Sequence, residues 1–215
     1  MEWVRLDAVK AYDEIKRKII TLELAPGSSI DEEALAAELN LPAAAVREAL
    51  RLLVHDNLVI VTPRHGIRVA DANPAELQQL FEMRLPLETL CARLAAERAT
   101  TDDLTVMDAL VREYEWAKQE EKFERLLDLD HRFHKALAEA AHNRYMREAL
   151  EQLFGLSERL WYLALPQVNW LLVALDRHAA VVKAIKARDG DTAAGLMAEH
   201  VRDFEQQVER ALRRS

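Results

Sequence analysis

Apolar residues recur at steps of three and four from about Asp7 to Leu24 (Val9, Tyr12, Ile15, Ile19, Leu22), the period of an amphipathic helix. Leu24-Ala25-Pro26-Gly27 then stops that helix and turns the chain. Asp31 is placed to cap a short second helix through Leu39, and Asn40-Leu41-Pro42 makes the next turn. A third helix is predicted from about Ala43 to His55, with Val46, Ala49, Leu50 and Leu53 on its apolar face. The period then changes. Leu58-Val59-Ile60-Val61-Thr62 and Ile67-Arg68-Val69 read as two short strands, joined by the turn Pro63-Arg64-His65-Gly66. Three helices followed by a small hairpin is the order of a winged helix-turn-helix.

Asp71-Ala72-Asn73-Pro74 reads as a linker. Beyond it helices are predicted at roughly 74–98, 102–119, 122–141, 143–164, 170–188 and 190–212, with breaks at Thr100-Thr101-Asp102, Asn143, Pro166 and Asp189-Gly190-Asp191. The expected fold class is therefore mainly α, with a winged helix-turn-helix over 1–72 and a helical bundle over 73–215 that is long enough for its own core.

Composition supports this division. Of 215 residues, 50% are hydrophobic and 31% charged, with only five Gly and six Pro, which favours helix and a real core. The single cysteine, Cys91, excludes an internal disulfide framework and fits a reducing compartment. No apolar run reaches membrane-spanning length and no signal core opens the chain, so the expected location is the cytoplasm, with no membrane partner. The net charge of −8 runs against nucleic-acid binding in bulk. Up to Ala70, however, nine Lys and Arg face eleven Asp and Glu, so the first third is less acidic than the rest.

In a helix-turn-helix the second helix enters the major groove, and its early residues reach base edges. Here Arg47 lies near the start of that helix and Arg51 one turn on, on the same face. Arg64 and His65 fall at the hairpin tip, where Gly66 permits close approach of backbone to a duplex. On an isolated helix such arginines are ordinary solvated charges; the hairpin immediately downstream argues for DNA contact.

Leu24-Ala25-Pro26-Gly27, Leu35-Ala36-Ala37-Glu38-Leu39, Val46-Arg47-Glu48-Ala49-Leu50-Arg51-Leu52-Leu53, Leu58-Val59 and Arg64-His65-Gly66 resemble the DNA-binding domain of GntR-family bacterial regulators. Arg84 with Glu88, Asp130-His131-Arg132-Phe133-His134, Asn143, His178, Ala184-Ile185 and His200 resemble the FCD effector domain of the FadR subfamily, in the six-helix VanR-type branch. The resemblance covers essentially the whole chain in order. The family usually carries a Ser-Arg-Thr-Pro-like run ahead of Val-Arg-Glu. This chain has Pro42, Ala43, Ala44 and Ala45 there, Asn57 in place of a Gly before the first wing strand, and Glu33 at a usually basic or polar position.

Asp130 and His134 are one turn apart on one helix, and His178 and His200 lie on the last two helices. One carboxylate and three imidazoles suit Zn²⁺, Ni²⁺, Mn²⁺ or Fe²⁺. Spacing alone leaves the set open, since Asp-x-x-x-His arises on helices by chance. The resemblance implies that the four together bind a divalent metal, Zn first among them. It further implies that Arg84 meets the carboxylate of a small organic-acid effector, and that a homodimer binds a pseudo-palindromic double-stranded operator, as a repressor more often than not. Two other readings compete: a metalloenzyme using the same ligands, and a regulator descendant that binds metal and carboxylate but has lost specific DNA binding. The enzyme reading lacks a general base and leaves the hairpin unexplained, so the chain is expected not to be an enzyme. Elsewhere, His131 and His142 are expected at the surface or in a loop, Asn143 as a cap, Cys91 as a small buried residue, and Trp161, Tyr162 and Trp170 as core or pocket wall.

Overall fold

The first apolar stripe winds into α1 (Glu2–Ile20), which starts earlier and stops sooner than its periodicity predicts. Leu22 ends it, taking a φ of 64°, in the left-handed region that cannot continue a right-handed helix. The computed structural model describes residues 2–63, 66–118, 123–164 and 171–212. Arg64, His65, Pro166 and Trp170 therefore lie outside the described residues.

Asp31 caps α2 (Glu32–Leu39) as its sequence predicts: its Oδ1 accepts from the backbone N–H groups of Glu33 at 2.9 Å and Ala34 at 3.0 Å. Asn40 closes that helix with a φ of 51°, a conformation Asn tolerates better than most residues. Pro42 leads into α3 (Ala43–His55), which buries Ala45, Val46, Ala49, Leu50 and Leu53. Asn57 then takes a φ of 60°, so this Asn fills the left-handed role that a Gly would serve before the wing. β1 (Val59–Thr62) pairs antiparallel with β2 (Gly66–Val69), from Val59 opposite Val69 to Thr62 opposite Gly66. Gly66 has a φ of 72°, a turn geometry that a side chain would strain. The core of this unit joins Ile15 and Ile19 of α1, Leu35 of α2, Val46, Leu50 and Leu53 of α3, and Leu58 and Val69 beside the hairpin. Each such side chain contributes about 1.5–3 kcal/mol by burial, so the hydrophobic pattern alone is enough to select the arrangement.

One 3₁₀ turn (Pro74–Glu76) precedes α4 (Leu77–Arg98), followed by α5 (Thr101–Lys118), α6 (Phe123–Ala140), α7 (Arg144–Ala164), α8 (Leu171–Lys186) and α9 (Gly190–Leu212). The breaks carry the chemistry that their sequences announce. The Thr100 backbone N–H donates to Asp103 Oδ2 at 2.8 Å, and the Asp103 N–H donates back to Thr100 Oγ1 at 3.2 Å, a reciprocal cap for α5. Asn143 Oδ1 accepts from Met146 N at 3.2 Å and Asp189 Oδ1 from Thr192 N at 3.0 Å. Within the bundle α4 packs chiefly on α9, α5 on α6, and α8 on α9. Phe81, Phe133, Met107, Leu129 and Leu137 are among its most buried side chains.

The chain forms two compact units, one of residues 1–74 with 155–163, the other of 75–154 with 164–215. The C-terminal half of α7 thus belongs to the hairpin-bearing unit. Leu156 packs against that unit's core, and Gly155 leaves room for the Lys16 side chain, which a Cβ would meet at 3.3 Å. The buried Arg159 guanidinium donates to the carbonyls of Ala70 at 3.0 Å and Asp71 at 2.5 Å. Among the described residues no helix is long and apolar enough to cross a membrane.

Candidate functional site

Two turns of α6 and one residue each from α8 and α9 converge inside the bundle. Asp130 and His134 project from one face of α6, as their spacing of four requires, and meet His178 and His200. The His134 and His200 Nε2 atoms are 3.0 Å apart, and those of His178 and His200 3.3 Å. Asp130 Oδ1 lies 3.5 Å from His178 Nε2, 3.7 Å from His134 Nε2 and 4.0 Å from His200 Nε2. Metal–ligand bonds of about 2.0–2.2 Å place neighbouring donors about 2.8–3.6 Å apart in octahedral or tetrahedral arrangements. The four donor atoms lie within 4.8 Å of one another, so a modest inward movement brings them to the separations of a common coordination shell. Their chemistry agrees. His134, His178 and His200 are at most 5% exposed, and three imidazole Nε2 atoms that face one another cannot all be satisfied by protons shared among themselves. A divalent ion satisfies all three lone pairs and the carboxylate at once.

The walls hold these groups in place. Phe133 stacks on His178 with ring centroids 3.8 Å apart and planes 15° apart. Phe154 of α7 lies 5.0 Å from the His134 ring. His131, expected at the surface, is half-buried instead, with its ring edge-on to Phe154 of α7 at 6.2 Å. His142 is exposed in the α6–α7 turn and pairs with Asp103 at 2.9 Å. Cys91 is fully buried; burial, then the charge of Glu88, pushes its thiol up to about 12, so it is inert as a nucleophile. Trp161 is buried in the unit that carries the hairpin.

Arg84 is 3% exposed on α4, with its guanidinium between the rings of Phe81, Phe154 and Phe204, 4.8–5.3 Å from their centroids. Its Nε donates to Glu88 Oε1 at 2.8 Å. Glu88 Oε2 lies 2.6 Å from His134 Nδ1, which ties Arg84 to the cluster through one carboxylate. Sequence reasoning gave Glu88 no role. Its signal was the spacing: Phe81, Arg84, Glu88, Cys91 and Ala95 form one buried stripe, so an ion pair there is turned inward.

The electrostatics follow from these contacts. Burial penalises the Glu88 carboxylate, but Arg84 and then His134 outweigh it and hold it at about 2. Burial likewise opposes charge on Asp130, and His134 foremost holds its carboxyl well below the usual range. For His134 burial disfavours the cation, yet Glu88 and Asp130 together push it up to about 9. His178 is lowered well below its ordinary value by burial and then by His200; His200 is lowered to about 4 by burial and then by His134. Two neutral imidazoles and the Asp130 carboxylate converge in one place, with Glu88 behind His134, and together they suit a cation.

Beside His178 a crevice of about 10 Å³ is lined by Leu110, Tyr114, Leu129 and Phe133 among others. That has room for about one water molecule, so an organic ligand enters at this point only if the bundle yields.

On the hairpin-bearing unit Arg47 and Arg51 are exposed along α3, but each already has an acidic partner. Arg47 Nε donates to Glu32 Oε2 at 3.0 Å and Arg51 Nη1 to Glu48 Oε2 at 3.1 Å. Of the four residues that open the helix, Pro42, Ala43 and Ala44 are exposed while Ala45 is fully buried. Only three positions there face outward, so the change at Ala45 concerns packing.

Residues 8–69 match the model of bacterial regulatory proteins of the gntR family, and residues 79–203 that of the FCD domain. The chain is 24% identical to the HTH-type transcriptional repressor RspR of Escherichia coli K12, over 92% of this chain and 86% of that protein. It is 28% identical to the HTH-type transcriptional repressor GlaR of the same strain, over 91% of this chain and 93% of that protein. The solved structure of E. coli McbR/YncC shares its fold, with a TM-score of 0.85 at 21% identity, covering 95% of this chain and 97% of that one. The ordered pairing of a winged helix and an FCD bundle, matched over most of the sequence, makes the chain a member of the GntR family of DNA-binding transcriptional regulators, with an FCD-type effector domain and not an enzyme fold.

Proposed function

We propose that this regulator is a metal-dependent repressor whose DNA affinity is set by a small carboxylate effector. The convergence of Asp130, His134, His178 and His200 inside the FCD bundle carries the reading. A divalent ion bound there supplies a local positive charge able to take an anionic oxygen. Arg84, buried on α4 and joined to His134 through Glu88, brings a rigid fork of donors near the cluster, so a carboxylate shedding its water would meet charge on two sides. Residues 1–72 form the DNA-binding domain and 73–215 the effector domain. Arg47, Arg51, Arg64, His65 and Gly66 meet DNA, and two copies of the chain meet a pseudo-palindrome. The homodimer is supported by Met83 and Leu90, both around half exposed and seven residues apart on one face of α4. RspR and GlaR, to which the chain is similar, are transcriptional repressors, which favours repression here.

The test has two arms. Protein purified without chelator should hold about one divalent ion per chain, and His178→Ala should remove most of it. A screen of mono- and dicarboxylates should then find acids that raise the melting temperature of metal-loaded protein alone, with much of that shift lost in Arg84→Lys. Full metal occupancy in His178→Ala, or a ligand bound equally by loaded, stripped and Arg84→Lys protein, would overturn the reading. The acid partners on Arg47 and Arg51, with three uncharged residues opening α3, favour a second reading in which specific DNA binding is lost. Absence of retardation of every fragment from the surrounding genome at low salt would establish that one instead.

A further inference from the structure

We infer that Glu88 is a positioning residue for the metal centre: it fixes the proton of His134 on Nδ1, so that the Nε2 lone pair faces Asp130, His178 and His200. This rests on the metal reading above and adds to it a residue that does not touch the metal. Glu88 is 1% exposed and sits one turn beyond Arg84 on α4. Its two oxygens are divided between two partners. Oε1 accepts from Arg84 Nε at 2.8 Å, and Oε2 lies 2.6 Å from His134 Nδ1, in an orientation short of ideal alignment. Both atoms of the second contact are fully buried, and neither makes a well-aligned hydrogen bond, to the other or to any other described group.

The chemistry of the donors then leaves one arrangement. An ionised carboxylate only accepts, so the atom beside it must bring the proton. Nδ1 therefore keeps its hydrogen when a metal displaces the proton of Nε2, and Nε2, 3.0 Å from His200 Nε2, then presents its lone pair to the cluster. Arg84 has a part in this as well. By meeting Oε1 it keeps Glu88 charged and fixes its rotation, and the rings of Phe81, Phe154 and Phe204 fix Arg84 in turn. A chain of three side chains on two helices thus aims one imidazole. A histidine ligand held by a carboxylate on its second nitrogen is more basic and better oriented than a free one.

The experiment uses zinc alone as probe, on the full chain. Wild type and Glu88→Gln are compared by competition against a chromophoric chelator, with stripped-protein melting recorded for both. Gln keeps the size of the side chain but loses the charge and one acceptor. Glu88→Gln should bind zinc about 10–100-fold more weakly. A purely structural Glu88 would instead lower the melting temperature of the stripped protein and leave zinc affinity within twofold, which overturns the proposal. Long-range ¹H–¹⁵N spectra of histidine-labelled, zinc-loaded wild type read the tautomer directly, and do so even if the variant fails to fold. His134 should show a protonated Nδ1 and a zinc-bound Nε2; ligation through Nδ1 overturns the inference. Wild type that takes up no zinc overturns the metal reading itself, and is distinct from wild type that binds zinc with affinity indifferent to Glu88.

Discussion

Glu32→Gln should tighten DNA binding, although it adds no contact to DNA. Arg47 is held by Glu32 at 3.0 Å, with side-chain exposures of 58% and 28%. To reach a base edge the guanidinium must first leave that carboxylate. An exposed pair of this kind is worth about 0.2–1 kcal/mol after screening, so its release corresponds to a gain of about 1.4–5-fold in affinity. If Arg47 meets DNA, removing a negative charge beside it adds in the same direction, and that effect is screened beyond about 8–10 Å at ordinary salt. The variant costs the fold something, because Glu32 opens α2 and its charge favours the helix N-terminus by about 0.3–1 kcal/mol. Melting is therefore recorded alongside. The assay is fluorescence anisotropy of a labelled upstream fragment across a potassium chloride series, with wild type, Glu32→Gln, Arg47→Ala and the double variant. Expected are a gain of about 1.4–5-fold in Glu32→Gln, a loss in Arg47→Ala, and little gain from Glu32→Gln once Arg47 is absent. An equal gain in both backgrounds would show general repulsion from phosphate rather than a released arginine, and weaker binding by Glu32→Gln would refute the reasoning outright.

Metal-stripped protein should be most stable near pH 6.5. Below that, His178 and His200 stay neutral in the fold while the unfolded chain takes protons at about 6.5, so stability falls toward pH 4 at about 1.4 kcal/mol per pH unit per proton. Above it, His134 holds its proton to about 9 only when folded, so stability that is full below 6.5 is lost as the pH rises through 9. Urea midpoints of stripped protein across this range check both arms, and a monotonic profile would contradict them. Arg159→Met should lower stability by roughly 2–4 kcal/mol in urea melts, because the carbonyls of Ala70 and Asp71 would lose charged donors in a largely buried setting. A change under 0.5 kcal/mol would mean that water replaces the guanidinium there.

Local chemistry was legible in the sequence because it is written in adjacent residues. The Asp31 cap, the start of α3, the hairpin and the break at Asp189 all depend on neighbours within a few positions. Spacing put Asp130 and His134 on one face, but could not bring His178 and His200 to them; the family resemblance supplied that step. Non-local pairings were not legible. Glu32 lies fifteen residues from Arg47, and nothing in either segment announces the contact. The angle of His131 on α6 points it outward, and the Phe154 ring of α7, distant in sequence, half-buries it. The end of α1 was missed because apolar periodicity runs through Leu22, whose backbone leaves the helix while its side chain keeps the rhythm. Ala45 belongs by sequence to the helix opening and by packing to the core.

The division of α7 bears on how this protein can be cut and recombined. A fragment ending at the linker would contain every residue of the winged helix and still be incomplete. It would lack Leu156, which covers part of its core, and Arg159, which satisfies two of its carbonyls. Such a fragment would expose apolar surface and be prone to aggregate or to shed its last strand. A chimera built by exchanging whole effector domains at that linker would bring a foreign helix to the same surface, and would succeed only where residues 155–163 travel with the winged helix they complete.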